Sequence, residues 1–163
     1  MSRQLAELEI VLAQLVAEHR GLLKQLTVQQ AAMQAFNLDA IEAGVREQDA
    51  ARRRIAALEV RRRGLTDQLA KLLRVPGKLT LARLADLHPP RRAELLRLRA
   101  ELRQAIAETG ARATIAGKLS AAVLGHLNTV VRLLAGAVEK AGVYTRTGAP
   151  QMSRRIGMME AVG

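Results

Sequence analysis

Cysteine and tryptophan are absent from this 163-residue chain, and there is only one tyrosine and one phenylalanine. Because no thiol is present, the chain can form neither a disulfide framework nor a thiolate zinc site, and nothing in it depends on an oxidising compartment. The 49% of residues that are hydrophobic are therefore almost entirely Leu, Ala, Val and Ile. This composition, at a length that suits one domain, is typical of a helical bundle.

Long apolar runs and catalytic groupings are also missing. No window of 18 apolar residues is free of charge, and no cationic start precedes an apolar run. We therefore predict neither a membrane span nor a signal peptide, and we expect a soluble cytoplasmic protein. The sequence shows no nucleophile beside a base, no phosphate-binding loop and no cluster of metal ligands, so we expect no enzymatic activity, no cofactor, no bound metal and no small-molecule substrate.

Positive charge is the most pronounced feature of the composition, with a formal net charge of +11. It is spread along the chain, with arginine triplets at residues 52–54 and 61–63. Because the triplets are nine residues apart, they point to opposite sides of a helix and form no continuous basic stripe. Without a stripe or aromatic residues for stacking on bases, the sequence favours solvated helix surface over nucleic-acid binding. An anionic partner is the alternative.

Apolar residues recur every three or four positions over most of the chain, which predicts helices. We place them at about residues 3–35, 39–75, 80–87 and 90–141, in an all-α, elongated, coiled-coil-like fold. The first two have nearly equal length and a short connection, so we expect an antiparallel hairpin with the long last helix beside it. Residues 1–148 are predicted to form one domain and residues 149–163 a flexible tail.

Polar residues interrupt the apolar seam of the first helix at His19 and Gln29. We interpret His19 as a residue that sets the register of packed helices, because no second ligand or base accompanies it. The apolar positions of the same seam are Leu5, Leu8, Leu12, Leu15, Leu22, Leu26, Met33 and Phe36.

Capping and helix-breaking residues mark the ends of the helices. Asn37 or Asp39 can cap the second helix, and Thr80 can cap the short one. The apolar face of the second helix continues to Val75, and the Pro-Gly pair at residues 76–77 predicts its end there.

The last helix changes character in its second half, where Gly110, Gly117, Gly125 and Gly136 lie among many alanines. Each internal glycine costs up to about 1 kcal/mol of helix stability relative to alanine. One interpretation is a kink near residues 109–117 in a helix that deforms on binding. The other is close packing of small residues inside the bundle.

The predicted last helix is longer than the hairpin beside it. At 1.5 Å per residue it measures about 78 Å, against about 50 to 55 Å for the hairpin, so a straight helix overhangs by roughly 16 residues, close to 127–142. Leu127, Val131, Leu134 and Val138 then have no cover within the chain. Such a face predicts a partner, either a second copy of the chain as a homodimer or a helical segment of another protein.

Several segments together resemble the FlgN family of flagellar export chaperones. They are the turn FNLDAIEA between two long helices, the element TLARLADLHPP, and the helix LGHLNTVVRLLAGAV with Asn128 inside it, followed by Tyr144 and Gly148. The resemblance covers residues 5–148. It implies a cytosolic chaperone that binds hook-associated junction proteins and delivers them unassembled to the gate of the flagellar type III export apparatus.

The resemblance also implies that the substrate-binding surface lies in the C-terminal helix. The residues concerned are Leu119, Val123, Leu124, Leu127, Asn128, Val131, Leu134 and Val138. Ordinary bundle core is the alternative for the apolar members, and a buried, register-setting role is the alternative for Asn128. Tyr144 is implied to dock on the export gate, the alternative being a ring that packs back on the end of the helix.

Two other functions are compatible with the sequence. One is a basic helical bundle that binds nucleic acid or an anionic membrane, for which affinity would fall steeply with salt. The other is a structural coiled-coil adaptor within a secretion machine. Chaperones of this export class are commonly acidic, whereas this chain is basic, and its tail at residues 149–163 extends past the resemblance.

Overall fold

A computed structural model describes the backbone of residues 2–142 and the side chains of residues 2–137. This part of the chain forms four α-helices, numbered here in chain order. They are α1 (Ser2–Gln34), α2 (Leu38–Leu72), α3 (Leu81–Leu87) and α4 (Arg92–Gly142), with a turn of 3-10 helix at Pro89–Arg91 before α4. No strand occurs among residues 2–142, and the prediction of an all-α fold is confirmed.

Internal contacts divide the chain into two units, Met1–Ser120 and Ala121–Gly163. The first unit contains α1, α2, α3 and the first part of α4, and the second contains the rest of α4. A single domain over residues 1–148 stays a prediction, and the tail at residues 149–163 lies outside the described residues.

A left-handed residue and a side-chain cap form the turn between α1 and α2. Phe36 has a φ of 51°, its N–H donates to the Met33 carbonyl at 3.2 Å, and the Asn37 N–H donates to the Ala32 carbonyl at 3.0 Å. This pair of bonds is the Schellman arrangement that ends many helices. Asn37 Oδ1 accepts from the Ala40 N–H at 3.1 Å, as a helix cap. Phe36 is exposed, so its assignment to the apolar seam is wrong, because it lies beyond the end of α1.

The second helix ends at Leu72, three residues earlier than the predicted Val75. The same pair of bonds closes it, with the Arg74 N–H donating to the Lys71 carbonyl at 3.2 Å and the Val75 N–H donating to the Ala70 carbonyl at 3.0 Å. Arg74 has a φ of 50°. The predicted end is wrong because a residue before a proline is disfavoured in the α region, so the chain leaves the helix before Val75.

The first two helices lie antiparallel, as predicted. Three side-chain contacts pair them in opposite directions: Glu7 with Arg61, Glu18 with Arg54, and Gln29 with Gln48. Within the first unit, α4 runs parallel to α1. The contacts that show this are Glu9 with Arg91, Arg20 with Glu101, and Met33 with Ser120.

Two apolar clusters stabilise the first unit. The larger joins α1 to the end of α2, the connector and the start of α4 through Leu5, Leu8, Val11, Leu12, Leu15, Val16, Leu65, Leu69, Leu79, Leu84, Ala85, Leu95, Leu98 and Leu102. The smaller consists of Leu22, Leu26, Ala51 and Ala116. The seam predicted for α1 therefore forms the core, and fully burying a leucine is worth about 1.5 to 3 kcal/mol.

The connector with α3 sets where α4 begins. Thr80 Oγ1 accepts a hydrogen bond from the Arg83 N–H at 3.2 Å, which confirms the predicted cap. Leu84 of α3 is fully buried in the larger cluster, and Leu79 before it is also buried there. After this segment, Arg91 lies 2.7 Å from Glu9 of α1, so α4 begins part of the way along α1 rather than level with its first residue.

The glycines of α4 neither end the helix nor pack closely. The helix is continuous from Arg92 to Gly142. A Cβ atom added at Gly110, Gly117, Gly125 or Gly136 would meet no atom within 4 Å outside the local helix backbone. The interpretation that these glycines allow close packing inside the bundle is therefore wrong, because each faces open space.

Most arginines of the two basic triplets form ion pairs within the first unit. The pairs are Arg52 with Asp49, Arg54 with Glu18, Arg61 with Glu7 and Arg62 with Glu59, at 2.7 to 3.0 Å. Exposed pairs of this kind contribute roughly 0 to 1 kcal/mol each. They support the interpretation of these triplets as solvated helix surface.

Candidate functional site

The second unit carries a run of exposed apolar side chains on α4. Leu124, Val131 and Leu134 expose 61 to 64% of their surface, and Leu127 exposes 43%. Their spacing of three and four residues places them on one side of the helix, which we call the apolar face of α4. Exposed apolar surface that is continuous along a helix marks a site of interaction with another molecule.

The other predicted site residues that the structure describes lie beside this face. Val123 is half-buried, and Leu119 is half-buried at the end of the first unit. Asn128 is exposed, so the alternative that it is a buried residue setting helix register is wrong. The four residues of the apolar face are exposed, and no other residue in the described part of the chain covers them.

Two predicted residues cannot be placed on the structure. The side chain of Val138 and the whole of Tyr144 lie outside the described residues. Their parts in the site stay predictions.

Exposure begins earlier along α4 than the length argument indicated. The predicted uncovered segment starts near residue 127, whereas Leu124, on the same face, already exposes 64% of its surface. The predicted overhang requires α4 to begin level with the end of the hairpin, whereas Arg91, just before α4, pairs with Glu9. Because α4 begins further along α1, its packed part also ends earlier, at Ser120 beside Met33.

Two exposed apolar residues of the same stretch were missing from the predicted site. Val130 exposes 38% and Leu133 exposes 69% of its surface. Val130 borders the apolar face, and its spacing from Leu127 and Leu134 was the signal for including it. Leu133 lies further round the helix, where only local hydropathy indicates it.

The exposed stretch has little charge of its own. Arg132 is the only Lys, Arg, Asp or Glu between residues 121 and 137. By length and composition alone, one stretch within Pro89–Ala137 could cross a membrane, because a window of 18 residues there has a mean hydropathy of 1.3 with none of it buried. A single helix of this kind is weak evidence for a membrane location. What the stretch offers chemically is apolar contact area rather than ionic contacts.

No group of three or more His, Asp or Glu side chains comes together as a metal site in the part of the chain that the structure describes. The polar group that α4 presents beside the apolar face is the side-chain amide of Asn128, which is exposed. The geometry is that of a surface for contact with another macromolecule.

Comparison with known proteins gives a family. The family model described as FlgN protein matches residues 1–151, which include both units as far as the structure describes them. No curated protein and no solved structure matches the chain. FlgN proteins are known as soluble chaperones and not as enzymes. The chain therefore belongs to the FlgN family of flagellar export chaperones.

Proposed function

We propose that this chain is a cytosolic chaperone that binds hook-associated junction proteins through the apolar face of α4 and delivers them unassembled to the flagellar export gate. The observation that carries the proposal is the exposure of Leu124, Leu127, Val131 and Leu134 on one side of a helix. Family membership supports the role in flagellar export.

The apolar face has the properties of one half of a helix–helix interface. An amphipathic helix of a client packs against such a face with its own residues at three and four spacing. Burying the surface that the four residues of the face still expose is worth roughly 3 to 7 kcal/mol before the cost of association is subtracted. A client whose apolar helix is covered in this way has less surface left for self-association, which keeps it unassembled.

Asn128 has a separate part in the proposal. It is exposed at the border of the apolar face, where its amide can donate to and accept from a polar group of the client. A single polar contact beside an apolar interface favours one register of the two helices over others. Asn128 therefore contributes to the choice of client more than to affinity.

Tyr144 is proposed to dock on the export gate. It follows α4 by two residues and so lies outside the residues that bind the client. Replacing Tyr144 with Ala is expected to leave capture of junction proteins unchanged and to reduce their secretion into the medium. Loss of both capture and secretion would assign Tyr144 to the client surface instead.

A pull-down from flagellated cells of the source organism tests the proposal. The baits are the full chain and a truncated chain of residues 1–120, which keeps both apolar clusters of the first unit. Far-UV circular dichroism verifies that the truncated bait is folded. We expect junction proteins to be captured by the full chain only. Equal capture by both baits would contradict the proposal, and a stable dimer of the free chain that resists the client would assign the face to a second copy.

A further inference from the structure

Basic residues are concentrated in one segment of the first unit. Residues 61–83 contain seven basic side chains and one acidic side chain, so this segment alone has a net charge of +6 out of the +11 of the chain. Two of the seven are engaged in close ion pairs, Arg61 with Glu7 at 2.7 Å and Arg62 with Glu59 at 2.9 Å. The remaining charge lies around the end of α2 and the connector after it.

A groove runs along this segment. One part, of about 610 Å³, is bordered by Arg62, Arg63 and Lys78, with Leu79 at its base. A second part, of about 390 Å³, is bordered by Lys71 and Arg74. Both parts include Asp67 and Gly77 in their walls, so they lie side by side. We call this surface the basic groove.

The rim of the basic groove is positively charged and accessible. Arg63, Lys71, Arg74 and Lys78 are all exposed. Arg63 approaches Glu59 only at 3.7 Å. Among the described residues, the other three have no carboxylate within ion-pair distance. Asp67 is the one acidic residue of the walls.

The base of the groove is apolar. Leu79 is buried there, and Val75 and Ala70 are half-buried beside it. A ligand that fits must therefore combine negative charge at its edges with apolar groups at its centre. Phosphates alone would leave the apolar base without a partner, and no aromatic side chain lines the groove for stacking on bases.

We propose that the basic groove binds an acidic, partly apolar segment of a partner protein. Carboxylates of that segment pair with the rim, and its apolar side chains cover the half-buried Ala70 and Val75. The groove lies within the first unit and the apolar face of α4 lies in the second, so this binding does not depend on the client site.

The test uses the full chain and a fluorescein-labelled peptide built from glutamates with leucines at every third or fourth position, with binding measured by fluorescence anisotropy. The groove variant replaces Arg63, Lys71 and Lys78 with Gln. A control variant removes the same charge elsewhere in the first unit by replacing the exposed Lys24, Arg53 and Arg103 with Gln. Circular dichroism verifies that both variants are folded.

We expect the groove variant to bind the peptide about tenfold more weakly, equivalent to about 1.4 kcal/mol. The control variant is expected to retain most of the affinity, because distant surface charges are screened by salt. Equal weakening in the two variants would overturn the proposal, since it would show a general effect of net charge. Displacement of the peptide by duplex DNA or by vesicles containing phosphatidylglycerol would also overturn it and reassign the groove to phosphates.

Discussion

The side-chain amide of Gln48 donates a hydrogen bond to Gln29 Oε1 at 2.5 Å, and both side chains are buried between α1 and α2. Each amide is the hydrogen-bond partner of the other. A buried amide left without a partner would cost about 1 to 3 kcal/mol. Sliding one helix along the other by a turn would separate the pair. The two glutamines therefore fix the register of the hairpin. The spacing of Gln29 in the sequence predicts its position in the seam of α1.

Replacing Gln29 alone with Leu is expected to lower the free energy of unfolding by about 1 to 3 kcal/mol, because Gln48 keeps a buried amide with no partner. Replacing both with Leu is expected to recover most of that loss, since no buried polar group remains. Urea unfolding of the two single variants and the double variant measures the coupling. A double variant as unstable as the sum of the single ones would contradict the account.

Arg74 offers a stabilising substitution. A residue with a side chain in the left-handed conformation costs roughly 1 to 2 kcal/mol, and glycine adopts it without that cost. Arg74→Gly is therefore expected to raise the free energy of unfolding by about 1 kcal/mol. The control is Arg53→Gly within α2, where glycine is expected to destabilise by about 1 kcal/mol. If both variants lost stability in urea unfolding, that result would contradict the left-handed conformation of Arg74 at the end of α2.

His19 makes stability depend on pH. Burial lowers the pKa of His19 below its usual 6.5, and the nearby Glu59 carboxylate opposes the shift. The unfolded chain therefore binds a proton at pH values where folded His19 is neutral, and stability falls as the pH drops through 6.5 towards the lowered pKa. The hydrogen bond from Arg62 lowers the pKa of Glu59. The stability that ionised Glu59 contributes is therefore lost in a separate, more acidic pH range, as its carboxylate is protonated.

His19→Gln is expected to remove the part of the pH dependence that lies between about pH 7.5 and about pH 5.5, around and below the pKa of the unfolded histidine. Thermal midpoints of the natural chain and the variant at these two pH values measure it. A drop in the midpoint of the same size in both proteins would show that His19 does not contribute.

Much of the fold follows from the sequence, because apolar periodicity, caps and prolines act locally. The predicted helix ends lie within three residues of those observed. The largest error, at Val75, arose because the Schellman closure at Arg74 depends on backbone geometry that has no glycine to mark it. The position at which α4 begins, beside Glu9 of α1, could not be predicted from the sequence either. It depends on the burial of Leu84 in the connector, which is a tertiary contact.

The site was only partly predictable, since spacing does not separate core from surface. Leu95, Leu98 and Leu102 have the same three-and-four spacing as Leu124, Leu127 and Val131, yet the first three are buried and the others are exposed. The difference depends on where α1 and α2 provide cover, which is a tertiary property. The predicted exposure of Leu127, Val131 and Leu134 agrees with the structure, but exposure begins at Leu124, earlier than predicted.

The central claim is that the apolar face of α4 binds a client rather than stabilising the fold. The decisive variant replaces Leu127, Val131 and Leu134 with Ser. A matched control replaces Ala121, Ala122 and Thr129 with Ser; these residues are exposed and lie outside the apolar face of the same helix. Both triple variants add three serines to α4, so their effects on helix propensity are similar.

The measurement is binding of each variant to a purified junction protein by titration calorimetry, together with its thermal midpoint. We predict that the Leu127, Val131 and Leu134 variant loses binding while its midpoint stays close to that of the natural chain, and that the control variant binds normally. Substitution of core leucines would instead cost several kcal/mol through cavities and buried hydroxyls. Normal binding by the folded triple variant, or a thermal midpoint far below that of the control, would contradict the claim.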